Sequence, residues 1–197
     1  MTDKPLPVAV FLSGTGRSLA NLIEHRDRHG LPIDLRLVIS SSSKVRGVQI
    51  ARDASIDTII IRKADYPKPA DYSQAMFQPC REVGAELVVM AGYLKHVLIP
   101  DDFANRVINI HPSLLPSFGG SGMYGSRVHQ AAIDRGVKIS GCTVHFVDNQ
   151  YDHGPILLQR SCDVHDDDSA ESLAARVFEQ ERQALPEAIR MIADARS

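Results

Sequence analysis

The chain has 197 residues, 44% of them hydrophobic and 23% charged, which is enough for one substantial core and makes a single domain over 1–197 the default. A formal net charge of -2 excludes a general attraction to nucleic acid or to an anionic membrane, so any phosphate binding has to be local and the expected partners are small molecules. Cys80, Cys142 and Cys162 stand far apart in no ligand-like spacing, which argues against a disulfide framework and a cysteine zinc site, leaves no metal expected, and fits a reducing cytoplasm.

In chain order, Met1-Thr2-Asp3-Lys4-Pro5 lacks the apolar core of a signal peptide, and no apolar run reaches the roughly 18 residues of a membrane span. Val8-Ala9-Val10-Phe11-Leu12 suits a strand buried on both faces, ended by the turn Ser13-Gly14-Thr15-Gly16. Leu19, Leu22 and Ile23 then recur at helical spacing until Gly30 and Pro32 stop the helix. A strand over 35–39, a helix over 45–53 and a strand over 58–61 continue a βαβ alternation. Residues 70–84 read as a helix that Pro79 must kink or start irregularly, and 86–90 and 106–110 as the fourth and fifth strands.

The character changes after Pro116, where residues 117–126 carry Gly119, Gly120, Gly122 and Gly125. That stretch reads as a surface loop, either a lid or a plain mobile connection. A helix over 127–135, paired strands over 140–147 and 156–164 and a long helix over 169–195 follow, with Asp168 and Glu171 in capping-box spacing and Pro186 bending the helix. The fold class is therefore α/β: an open, mostly parallel Rossmann-like sheet with helices on both faces, extended by a C-terminal antiparallel strand pair and a long helix.

Two segments carry chemistry. Ser13-Gly14-Thr15-Gly16-Arg17-Ser18 lies at a strand-to-helix turn, where glycines admit a ligand to the backbone and free amides attract an anion. Leu19 replaces the third glycine of a dinucleotide fingerprint, and Ser40 to Ser43 offer no acid for a ribose hydroxyl, so NAD is disfavoured. Lys44 and Arg46 leave NADP open as a lesser alternative to a simple monophosphate ligand.

The second segment is Asn109-Ile110-His111-Pro112-Ser113-Leu114-Leu115-Pro116. In an extended strand Asn109 and His111 share one face, and the two prolines stiffen the chain beyond it. Asp152, in the turn Tyr151-Asp152-His153-Gly154-Pro155, can meet His111 if that turn lies over the carboxyl end of strand five. An amide, an imidazole and a carboxylate around one space suit acyl transfer to a nitrogen: Asn109 and His111 stabilise an oxyanion and Asp152 helps deprotonate the amine. No serine, Ser113 included, has a base placed beside it. Taken alone, Leu94 and Val97 read as core and His145 as a satisfied strand histidine.

Residues 109–118 with Gly141-Cys142-Thr143-Val144-His145-Phe146-Val147-Asp148 and Asp152-His153-Gly154-Pro155-Ile156 resemble the formyltransferase family that uses 10-formyltetrahydrofolate. The turn Ser13-Gly14-Thr15-Gly16 and the segment Ala175-Arg176-Val177-Phe178-Glu179-Gln180-Glu181 are similar to the branch of that family acting on phosphoribosylglycinamide in purine biosynthesis. The resemblance implies formyl transfer from 10-formyltetrahydrofolate, as co-substrate, to the amine of 5-phosphoribosylglycinamide by a monomer or homodimer. It implies a catalytic trio of Asn109, His111 and Asp152, with Gly14, Gly16, Arg17, Ser18, Phe178 and Glu181 binding the phosphorylated substrate. It also implies folate binding by Leu94, Lys95, His96, Val97, Asp148, Asn149, Gln150 and Tyr151, and a cis Leu115–Pro116 bond. Residues 1–100 then form a phosphate-binding half and 101–197 a catalytic and folate-binding half.

The chain departs from the family pattern at Arg17-Ser18, where Ser-Asn is usual, in the longer segment 119–128, in the segment 91–100, and at His153, where a small residue is common. Three alternatives stand: a formyltetrahydrofolate deformylase, a formyltransferase for another amine acceptor, and a silent folate or nucleotide binder. A fold beginning at Val8 speaks against the first, a chain ending at residue 197 against the second, and the intact trio against the third.

Overall fold

The computed structural model describes residues 4–196. Met1, Thr2 and Asp3, part of the stretch read as lacking a signal peptide, lie outside the described residues. The elements in chain order are β1 (Leu6–Leu12), α1 (Arg17–Arg28), β2 (Ile33–Ser40), α2 (Arg46–Asp53), β3 (Thr58–Ile60), α3 (Pro69–Glu82), β4 (Leu87–Met90), β5 (Val107–His111), α4 (Ser126–Arg135), β6 (Ile139–Phe146), β7 (Ile156–Asp163) and α5 (Ala170–Asp194). The strands share one sheet in the order β3-β2-β1-β4-β5-β6-β7, with β1 parallel to β2 and β4, β2 parallel to β3, and β6 antiparallel to β7. The expected α/β class and the order of its elements hold.

The chain divides into two compact units, one reaching Ile108 and resuming at Arg190, the other Asn109–Ile189. In the first, every residue of β1 is buried, as its continuous apolar run requires. Leu19 and Leu22 of α1, Val48 and Ala51 of α2, and Tyr72, Met76, Phe77 and Cys80 of α3 supply buried side chains at helical spacing. Phe11 meets Phe77 and Tyr93 at ring-centre distances of 5.6 Å. In this unit the strand order reverses between β2-β1 and β4-β5, and the carboxyl ends of β1 and β4 meet where Ser13 N–H donates to the Gly92 carbonyl over 3.2 Å. Open α/β sheets place ligands at such a switch point.

In the second unit Leu115, Val128, Ala132, Cys142, Val144, Leu173, Val177, Leu185 and Ile189 are buried. The segment after β5 is pinned by polar groups of the late strands. The Thr143 hydroxyl donates to the Ser113 carbonyl at 2.7 Å and accepts from Leu115 N–H at 3.0 Å, while Gln159 donates to the Leu115 carbonyl at 3.0 Å. The Leu115–Pro116 bond is cis.

Two local expectations are corrected. Pro79 does not mark an irregular start of α3: the helix begins on Pro69, whose missing N–H costs nothing in a first turn, and continues through Pro79 to Glu82. The cap of α5 sits one residue later than Asp168 and Glu171: Ser169 Oγ accepts Ser172 N–H at 3.1 Å and Ser172 Oγ accepts Ser169 N–H at 3.0 Å, a reciprocal box of two serines. Asp168 instead takes both Nη groups of Arg176, at 2.6 and 2.9 Å. Pro186 lies inside α5, which continues past it to Asp194.

Candidate active site

In the first unit, the turn after β1 is built for close approach. Gly16 adopts φ 74° at the start of α1, and a Cβ there would collide with Gly47 Cα, so only glycine lets the two helix starts come together. The N-terminus of α1 has no side-chain cap and no acidic residue in its first turn, which leaves its positive end available to an anion. Arg17 and Ser18 open that turn, Arg17 exposed and Ser18 half-buried, and Gly14 precedes it at a point where an added Cβ would meet nothing within 4 Å.

The same turn is tied to the segment that follows β4. Ser13 Oγ accepts Leu94 N–H at 3.1 Å and the Ser41 hydroxyl at 2.9 Å. Leu94 is half exposed, contrary to its reading as core, in the segment that follows the φ 70° turn at Gly92; Val97 is buried, as a core reading requires. Lys95 is exposed and His96 half-buried.

The second unit assembles the polar cluster. Asn109 and His111 alternate with Ile110 along β5 and share a face. Asp152, in the turn between β6 and β7, faces His111, with its Oδ2 3.5 Å from Nδ1. Nε2 of the same imidazole donates to the Phe118 carbonyl at 2.9 Å, so both ring nitrogens face acceptors and an imidazolium can donate twice. Asp152 Oδ2 also accepts the N–H of Gly120 at 2.9 Å. Phe118 and Asp152 hold φ of 54° and 51°, backbone strain that gathers at this cluster.

His145 belongs to the cluster, although its sequence context reads only as a satisfied strand histidine. Its Nδ1 donates to the Phe146 carbonyl at 2.9 Å, which leaves Nε2 as an acceptor for the Asn109 amide at 3.2 Å. Asp152 Oδ1 lies 3.8 Å from that Nε2. Burial holds the imidazole below its usual 6.5, outweighing the pull of the Phe146 carbonyl and the Asp152 charge, so the contact is between a carboxylate and a neutral ring. The signal that could have found it is the two-residue period of β6, which puts the polar pair Thr143 and His145 on one face.

His153 turns away from Asp152 and pairs with Asp148, Nδ1 to Oδ2 at 2.7 Å, while Asp148 Oδ1 accepts Gln150 N–H at 2.8 Å. Asn149, Gln150 and Tyr151 are exposed along this turn. Phe178 and Glu181 stand three residues apart on α5, both half-buried. The Cys142 thiol is pushed up to about 12, first by burial and then by the Glu181 carboxylate, so it is no nucleophile. Ser113 is buried and its hydroxyl donates to the Ser117 carbonyl at 2.6 Å. Among the described residues no group of three or more His, Cys, Asp or Glu could hold a metal, and no helix is long and apolar enough to cross a membrane.

The family model for formyl transferases matches residues 6–189. The chain is 41% identical to the chloroplastic phosphoribosylglycinamide formyltransferase of Vigna unguiculata over 204 residues, covering 100% of this chain and 64% of that protein. It is 33% identical to the phosphoribosylglycinamide formyltransferase of Haemophilus influenzae over 192 residues, covering 96% and 88% respectively. The crystal structure of glycinamide ribonucleotide transformylase 1 from Symbiobacterium toebii superposes with a TM-score of 0.91 at 36% identity, over 98% of this chain and 89% of that one. The chain spans less than two thirds of the plant relatives, 64% and 66%, and 18% of the trifunctional purine biosynthetic protein adenosine-3 of Gallus gallus. With the family model matched along nearly its whole length, the chain belongs to the formyl transferase family.

Proposed function

We propose that the chain transfers a formyl group from 10-formyltetrahydrofolate to the amine of 5-phosphoribosylglycinamide. The observation that carries this reading is the cluster of Asn109, His111, Asp152 and His145, in which N–H donors and a carboxylate converge without a nucleophile among them. The amine nitrogen bonds to the formyl carbon while the formyl oxygen takes up negative charge. The N–H that His111 gives to the Phe118 carbonyl passes to that oxygen, joined by the second amide hydrogen of Asn109. Asp152 takes the amine proton, directly or through water, and returns it by the same route to the folate nitrogen as the bond from the formyl carbon to that nitrogen breaks. His145 stays neutral and fixes the Asn109 amide.

Gly14, Gly16, Arg17 and Ser18 bind the substrate phosphate in this reading, supported by the uncapped start of α1. Phe178 and Glu181 hold the ribose side of the same substrate, and residues 94–97 and 148–151 take the pterin of the folate. Residues 1–100 then serve the phosphate and 101–197 the chemistry. The names of the relatives support this acceptor.

The test incubates purified protein with 10-formyltetrahydrofolate, with and without phosphoribosylglycinamide. Formylated product is expected only with the acceptor, and His111→Ala and Asp152→Asn should each lower turnover by roughly 10²-fold or more while keeping the fold. Formate released without acceptor indicates a deformylase, and turnover only with a different amine revises the substrate. Wild-type-like turnover in either variant would sink the mechanism.

A further inference from the structure

We infer that Gly119 is a positioning residue of the formyl transfer, through the two main-chain groups that flank it. On its N-terminal side the Phe118 carbonyl accepts from Nε2 of His111 at 2.9 Å; on its C-terminal side the Gly120 N–H donates to Oδ2 of Asp152 at 2.9 Å. One residue therefore stands between the group that orients the imidazole and the group that orients the carboxylate facing it. Either alone would be an ordinary loop contact. Together they fix the two sides of the 3.5 Å approach between Nδ1 and Oδ2.

The space at Gly119 explains why no side chain stands there. A Cβ would lie 2.5 Å from Cδ2 of Leu115 and 3.2 Å from Cβ of Asp152. Cδ2 is the tip of the buried Leu115 side chain and can turn aside, whereas the Asp152 Cβ stands next to its own main chain and has to give by a few tenths of an ångström. That shift, or one of the 118–120 backbone in its place, changes the separation of Asp152 from His111. Phe118 contributes by accepting φ 54°, the left-handed turn within which its carbonyl meets the imidazole. The neighbouring Gly122 differs: it has φ 88°, but a Cβ added there would meet nothing within 4 Å. The glycine-rich stretch thus contains one position whose bareness serves the chemistry among others that serve the path of the chain. When the formyl oxygen takes the Nε2–H in the proposed reaction, the Phe118 carbonyl yields while Gly120 keeps its hold on Asp152.

This inference rests on the proposed formyl transfer, and its test reads both turnover and the imidazole itself. Gly119→Ala is expected to lower kcat roughly 10- to 100-fold, the effect of misplacing a reacting group by up to about 1 Å, with KM for either substrate changed less than about threefold. In the nitrogen-resolved proton spectrum, the His111 Nε2–H signal, shielded from exchange by Phe118, should be present in the wild type and Gly122→Ala and lost in Gly119→Ala. Where Gly119→Ala fails to fold, Leu115→Ala is added to clear the closest atom and the same two readings are taken. Wild-type kcat in Gly119→Ala, an intact Nε2–H signal, recovery of kcat on adding Leu115→Ala, or an equal loss in Gly122→Ala each overturns the inference. A wild-type protein that formylates no amine defeats the proposed reaction instead, and the spectral comparison still decides what Gly119 holds.

Discussion

Asn109 gives an amide hydrogen to Nε2 of His145 over 3.2 Å, which fixes which end of the amide points toward β6. The other amide hydrogen is then set for a ligand on the His111 face. His145→Leu removes the acceptor and is expected to lower kcat about tenfold, near the cost of leaving a buried donor unpaired. His145→Gln, which retains an acceptor oxygen, should keep most of the activity in steady-state assays; equal losses in the two variants would show that the hydrogen bond is not what matters.

The neutrality of His145 also makes stability depend on pH. Its folded-state pKa lies below the unfolded 6.5, so the unfolded chain binds a proton first as the solution is acidified. Stability from this residue is complete above about pH 6.5 and is lost as pH falls toward the folded value. Denaturant unfolding between pH 7.5 and 5 should show the wild type losing more stability than His145→Gln, by at most about 1.4 kcal/mol per pH unit. Parallel curves would mean that the folded imidazole takes its proton as easily as the unfolded one.

At the start of α1, Gly16→Ala combines a strained φ with a clash against the Gly47 backbone, so a loss of about 2 kcal/mol or more is expected in denaturant unfolding. Arg17→Ala removes a charged donor from an exposed position in the first turn of α1. KM for the phosphorylated substrate should rise roughly tenfold, the ~1.4 kcal/mol of one charge-assisted hydrogen bond, with kcat nearly constant. Inorganic phosphate should compete less well against substrate in that variant; unchanged competition would remove Arg17 from the phosphate site.

Asp168 is held below the usual 3.8 by the Arg176 guanidinium and then by the Ser172 hydroxyl. Its contribution is present above about pH 3.8 and disappears as pH falls through the lower folded value. Asp168→Asn should therefore melt lower than wild type at pH 7, with the gap closing in acid. A gap that stays constant down to pH 2 would assign the effect to packing.

How far the residues foretell the structure depends on how each signal is carried. The continuous apolar run of β1 and the spacing of Leu19 and Leu22 carry their own periodicity, so strand and helix emerge with ends shifted by a few residues at most. The meeting of Asp152 with His111 comes from a turn lying at the end of a neighbouring strand. The Phe118 carbonyl and Gly120 N–H could not be found this way, because every residue but proline carries both groups and only the backbone path decides where they point. The cap of α5 slipped by one residue because serines flank Asp168 and Glu171 alike, and the Asp168 pairing with Arg176 spans eight positions, beyond a single helical turn.

The Ser13 hydroxyl has a consequence for how two ligands would influence each other. One oxygen accepts both Leu94 N–H and Ser41 Oγ, so the loop at α1 and the segment after β4 cannot be reshaped independently. A ligand that orders residues 13–18 sets the ordering cost at Leu94 in advance, and thermodynamic reciprocity requires that a ligand ordering Leu94 tighten the first by the same factor. Ser13→Ala would uncouple the two affinities while leaving each ligand a place to bind.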